Sequence, residues 1–104
     1  MQQATPDTLF NRMTALADST RSRMLVVLEH HELTVNEMRS VLQLPQSTVS
    51  RHLKVLADQG WVVSRADGTS RRYRATDKLD QSSRRLWHVV REQMLATRAA
   101  AQDA

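Results

Sequence analysis

The sequence predicts one mainly α-helical domain with a single β-hairpin, in the order ααααββα over residues 1–104. Three observations carry that prediction. The 104 residues include only 2 glycines and 2 prolines, which favours helices joined by tight turns. Capping signatures followed by apolar residues at helical spacing recur along the chain. Asp67-Gly68, a strong hairpin turn signal, stands between two short segments with strand propensity.

Residues 1–4 read as a loose tail, and Thr5-Pro6-Asp7 as a helix start with a capping side chain, an early proline and an acidic first turn. Leu9, Met13 and Leu16 then form one apolar stripe. Asp18, Ser19 and Thr20 offer caps for a second helix that buries Met24, Leu25 and Leu28 and ends near His31. Thr34 with Glu37 three residues on is a capping box. It opens a third helix with Val35, Met38, Val41 and Leu42 inward. That helix stops by Gln43, because Pro45 pushes Leu44 out of helical geometry. Gln43 stands where glycine is common in such a turn, and slight backbone strain is expected there.

Pro45 starts a fourth helix, which runs to about Gln59 and is closed by Gly60. Trp61–Arg65 and Arg71–Ala75 read as the strands of the hairpin. From Asp77 a last helix runs to around Ala99, with Leu79, Leu86, Val90 and Met94 on its apolar side. Helices three and four (residues 34–59) followed by a hairpin (61–75) outline a winged helix-turn-helix, the hairpin being the wing.

Composition narrows the function. There is no cysteine, so disulfides, thiolate metal sites and thiol redox chemistry are excluded for this chain. No apolar run is long enough to span a bilayer, and the N-terminus lacks the basic and apolar pattern of a secretory signal. A cytoplasmic location is the expectation. The formal charge is +4, and its distribution is uneven. Residues 39–85 carry ten basic side chains against four acidic ones, leaving the remainder of the chain slightly acidic. A basic half on a small domain suits a polyanion. No glycine-rich phosphate loop, nucleophile triad or paired-carboxylate pattern is present, so an enzyme is not expected, and neither is a cofactor. With only 4 aromatic residues (Phe10, Trp61, Tyr73, Trp87), a stacking platform for single-stranded RNA is not evident.

The fourth helix is the strongest candidate for reading DNA. On a helical wheel Val49, Leu53 and Leu56 fall within about 60° of one another, while Ser47, Ser50, Arg51, Lys54 and Asp58 fall opposite. Small hydroxyl residues let a backbone approach the major groove, and arginine and glutamine reach base edges. Gln46, Ser47, Ser50 and Arg51 are therefore expected to face bases. Thr48, His52 and Lys54, with Ser47, are expected to supplement them at phosphates or at the edge of the face. The wing carries Arg65, Thr69, Ser70, Arg71, Arg72 and Arg74, with Arg72 and Arg74 on one side of the ribbon and Arg71 and Tyr73 on the other. Of these, Arg65, Thr69, Arg71, Arg72 and Arg74 are expected to meet the DNA backbone or the minor groove.

Roughly residues 9–77 resemble the ArsR/SmtB winged-helix repressors. The specific piece is Gln46-Ser47-Thr48-Val49-Ser50-Arg51-His52-Leu53-Lys54-Val55-Leu56. Weaker ones are Leu16–Arg21, Glu32–Glu37, Gly60 and the wing from Trp61 to Tyr73. The resemblance implies a homodimer built on the first and last helices (the last over 77–99), a two-fold symmetric operator, recognition by residues 46–58, and repression relieved by a signal. Thr34 and Asn36 stand where many members carry metal-binding cysteines, and the last helix offers only His88 with Glu92, a poor zinc site. No metal is therefore expected, and the effector is unknown. Leu79 to Met94 also resembles members fused to a C-terminal methyltransferase, so the alternative is a winged-helix regulatory or protein-interaction module of a larger protein. Phe10, Met13, Leu86, Trp87, Val90 and Met94 are the apolar surplus expected at the two-fold interface, some of them shared with the core. Trp87 and Met94 are also candidates for lining an apolar pocket.

Overall fold

A computed structural model of the protein describes residues 6–103. The expected tail at 1–4 and the capping side chain of Thr5 lie outside the described residues. The helices are α1 (Pro6–Leu16), α2 (Ser19–His30), α3 (Val35–Leu42), α4 (Gln46–Asp58) and α5 (Gln81–Asp103). Strands β1 (Val62–Asp67) and β2 (Ser70–Ala75) lie between α4 and α5, giving the expected order.

The local signals set most of these boundaries. Asp18 caps α2, its carboxylate accepting the Arg21 backbone N–H at 3.0 Å. Thr34 and Glu37 form the reciprocal capping box of α3. Gln43 ends α3 in the left-handed region (φ 55°, ψ 47°), the one non-glycine among the described residues with positive φ. After α4 the Gly60 N–H donates to Ala57 and the Trp61 N–H to Leu56, a Schellman closure. Gly60 has φ 76°, and a Cβ there would stand 3.2 Å from the Arg12 guanidinium. The motif turns the chain sharply and drops Trp61, only 1% exposed, into the core.

Helix α2 is the centre of the packing, touching α1, α4, α5 and β2. Met24, Leu25 and Leu28 of α2 are buried with Met38 and Leu42 of α3, Val49, Leu53 and Leu56 of α4, and the two tryptophans Trp61 and Trp87. Each such side chain taken fully out of water contributes about 1.5–3 kcal/mol. The hairpin pairs Val62 with Ala75 through Asp67 with Ser70, antiparallel. A further bridge joins Leu33 to Tyr73, with backbone bonds of 3.0 and 2.8 Å in both directions. The loop before α3 thus covers the inner edge of β2 and pins the wing to the helix-turn-helix.

Four expectations need correction. The turn is Gly68-Thr69, not Asp67-Gly68, with positive φ at Gly68 alone, as a II′ turn requires. Helix α5 starts at Gln81 rather than Asp77 and continues past Ala99 to Asp103. Asp80 marks that start, accepting from the Ser83 N–H and hydroxyl and from Arg12, while Leu79 packs on the core ahead of the helix. Val41 is 55% exposed rather than inward, because it lies at the edge of the α3 stripe fixed by Met38 and Leu42.

Candidate nucleic-acid interface

Helix α4 presents Gln46, Ser47, Ser50, Arg51 and Lys54 to solvent, with Thr48 half-buried at its edge. The opposite stripe, Val49, Leu53 and Leu56, is buried and fixes that outward face against α2 and α3. Pro45 is the N-cap and supplies no side-chain acceptor. The backbone N–H groups of the first turn are therefore left at the positive end of the helix dipole, an arrangement suited to phosphate. Among the described residues Arg51 has no hydrogen-bond or carboxylate partner. Lys54 meets Asp58 at 3.2 Å, an exposed pair one helical turn apart that salt screens readily.

His52 is a correction. It is 8% exposed and turns inward, so it does not belong to the outward face. Its Nδ1 lies 3.4 Å from Nη1 of Arg21. The same guanidinium donates to the carbonyls of Ala15 (2.6 Å) and Thr14 (3.3 Å) at the end of α1. Burial pushes the His52 pKa below its ordinary value, with nearby Arg21 acting in the same direction and Asp18 opposing. A neutral imidazole so held orients α4 against the end of α1; it does not offer charge to a phosphate.

The wing arginines separate into two sets. Arg65 donates to Glu32 at 2.6 and 2.9 Å, and Arg72 bonds Asp67 at 2.6 Å and Glu37 at 3.3 Å. These arginines hold the carboxyls of Glu32 and Asp67 below the usual carboxylate range, while Glu37 is lowered first by its cap bonds to Thr34. Among the described residues the Arg71 side chain bonds only the Ser64 hydroxyl, at 3.1 Å, and the Arg74 side chain only the Ala75 carbonyl, at 3.3 Å. Thr69 is exposed in the turn.

The six apolar residues expected at a two-fold interface also divide. Phe10 (60%) and Met13 (42%) are exposed on α1. Leu86, Val90 and Met94 are half-buried. Trp87 belongs to the molecule's own core: its ring centroid is 6.4 Å from that of Trp61, and its Nε1 donates to Glu29 at 2.9 Å. Exposed Val89 and Leu95 on α5 were not singled out from sequence, because the half-buried stripe drew the helical pattern. Trp87 lines a groove of about 1060 Å³ with Glu29, and Met94 a separate one of about 720 Å³ with Val26 and Val41. His88 and Glu92 pair at 3.3 Å, and no group of three metal-ligating side chains occurs among the described residues.

Known proteins give this arrangement a context. A model of the MarR family matches residues 18–72. The chain is 39% identical over 72 residues to a probable mercury resistance operon repressor of Streptomyces lividans, covering 69% of this chain and 58% of that protein. It is 37% identical over 78 residues to an arsenic resistance transcriptional regulator of Pseudomonas putida, covering 74% and 59% respectively. The chain therefore spans less than two thirds of the length of either relative. The homodimeric winged helix-turn-helix DNA-binding domain of a possible ArsR-family regulator from Mycobacterium bovis superposes with a TM-score of 0.71 at 25% identity, over 93% of this chain and 91% of that one. An ArsR-like regulator from Rhodococcus sp. RHA1 gives 0.68 at 27% identity, over 94% and 93%.

Proposed function

This chain belongs to the MarR family, and from that premise we propose that it is a sequence-specific duplex-DNA-binding transcriptional regulator, a homodimeric repressor of the ArsR type. The observation that carries the reading is the outward face of α4, where Gln46, Ser47, Ser50, Arg51 and Lys54 stand beside an N-terminus without a side-chain cap. Gln46, Ser47, Ser50 and Arg51 take base edges, and Thr48 and Lys54 take phosphates. The wing adds backbone contacts. The names of the curated relatives and the homodimeric Mycobacterium bovis domain support this reading.

A second copy packs through α1 and α5, covering Phe10 and Met13 and placing two α4 helices about one DNA turn apart on a two-fold site. The two curated relatives are named for mercury and arsenic resistance. These 104 residues contain no cysteine, so they offer no thiolate ligand to such a signal.

Selection from a random duplex pool at several salt concentrations tests the reading, with the native chain and an Arg51→Ala, Lys54→Ala variant. A two-fold symmetric site is expected to emerge for the native chain. The variant is expected to lose enrichment and to show a salt slope shallower by about two. A variant indistinguishable from native removes α4 from the interface and the reading with it.

A further inference from the structure

We propose that Arg71 is the one wing arginine that neutralises a DNA phosphate, and that Arg65 and Arg72 instead hold the wing at its working angle. The inference rests on the DNA-binding reading above and sharpens it. A guanidinium already bonded to carboxylates brings little net positive charge to a phosphate unless it leaves them, so it displaces few of the counterions condensed on the DNA and its gain is largely cancelled. Arg72 is bonded to two carboxylates, Asp67 on the neighbouring strand and Glu37 in the first turn of α3. Arg65 places two nitrogens on Glu32, in the loop that leads to the Leu33–Tyr73 bridge. Both pairs tie the hairpin to the segment that opens the helix-turn-helix, on either side of that bridge. They belong to the frame.

Arg71 differs in partner and in place. Among the described residues its guanidinium donates only to the Ser64 hydroxyl, through Nε. Its strand partner is Ala66, and the next pair outward, Asp67 with Ser70, flanks the turn, so Arg71 sits close to the tip. Arg74 also has no carboxylate partner among the described residues, but it lies opposite Val63 near the base of the hairpin and on the other face of the ribbon. Among the described residues of the wing, a position near the tip and a guanidinium with no carboxylate partner meet at Arg71 alone.

Phosphate contacts are independent of sequence, so the test needs no operator. Affinity of the full chain for a random-sequence duplex pool is titrated against salt, and the melting temperature of each variant is measured without DNA. Arg71→Ala is expected to lower the steepness of log affinity against log salt by about two, one phosphate for each protomer of the dimer, and to keep the native melting temperature. Arg65→Ala and Arg72→Ala are expected to keep the slope and melt earlier; the exchange Arg65→Glu with Glu32→Arg is expected to recover the melting temperature. Arg74→Ala is expected to change neither. A native slope for Arg71→Ala, or a slope lowered by about two in folded Arg65→Ala or Arg72→Ala, overturns the assignment. The Arg51→Ala, Lys54→Ala variant separates the two levels: if it binds the pool as the native chain does, the DNA-binding reading itself fails; if it weakens while Arg71→Ala does not, only the wing assignment fails.

Discussion

Arginine–carboxylate pairs do different work at two of the places where they join the domain. At the junction of α1, α4 and α5, Arg12 meets Asp80, the Ser83 hydroxyl (2.6 Å) and the Gln59 carbonyl (3.0 Å), with both charged side chains 20% exposed. At the base of the wing, Arg65 and Glu32 are 60% and 28% exposed, and Arg72 and Glu37 are 31% and 47%. The first set is part-buried, and one guanidinium serves three acceptors there. The second stands in screened solvent, where an ion pair fixes geometry more than it adds stability. Counting ion pairs would rank the base of the wing higher; burial reverses the order.

The largest effect expected from breaking this contrast is at Arg12. Arg12→Ala leaves Asp80, Ser83 and Gln59 short of their donor and opens space beside Gly60. A loss of about 2–4 kcal/mol in denaturant unfolding is expected. A loss no larger than that of Arg65→Ala would erase the distinction between the two sites.

Acid titration gives the next effect. Asp80 has its pKa lowered from 3.8, first by the Ser83 hydroxyl, with the Ser83 N–H and Arg12 adding to it against the opposing cost of burial. Because the folded value lies below the unfolded one, its stabilisation is complete above about 3.8 and fades as pH falls through the folded value. Melting curves at decreasing pH should therefore fall more steeply for the native chain than for Asp80→Asn, and added salt should leave most of that difference intact. Glu32 and Asp67 are lowered too, by their arginines, but their part of the acid limb should shrink with salt.

The smallest effect is expected from Glu37→Gln. Glutamine keeps the N3 half of the capping box with Thr34 but removes the charge facing Arg72. A slightly lower melting temperature at low salt, vanishing at high salt, is the expected result. A loss that persists at high salt would place the contribution of Glu37 in the cap instead of the ion pair.

What the sequence made legible was what neighbours in the chain decide. Asp18, the Thr34–Glu37 box and Gly60 sit beside the groups they satisfy, so they marked helix ends correctly. The buried stripe of α4 followed from its period. His52 was misread although the same wheel sets it only about 60° from Val49; its polarity hid its place. The start of α5 was misplaced because Asp77 and Asp80 are equally good caps locally, and the choice is made by Arg12, 68 residues from Asp80. The partners of Arg21 and Glu29 were equally out of reach: His52 lies 31 residues from Arg21, and Trp87 58 residues from Glu29. The wing showed its arginines but not which carboxylates would hold them, since Glu32 and Glu37 belong to another element.

The Leu33–Tyr73 bridge leaves the sheet with one covered edge and one open edge, and that asymmetry bears on solubility. Beyond buried Val62, alternate residues of β1 turn their backbone groups away from β2, with the Val63 side chain exposed, and such a ribbon is a template on which a foreign strand can add. Arg65 and Asp67 place alternating charge on that border, and the turn at Gly68 ends it after a short run. Every approaching strand must bury those charges, so the border resists self-association in a crowded solution while the hairpin stays thin enough to protrude.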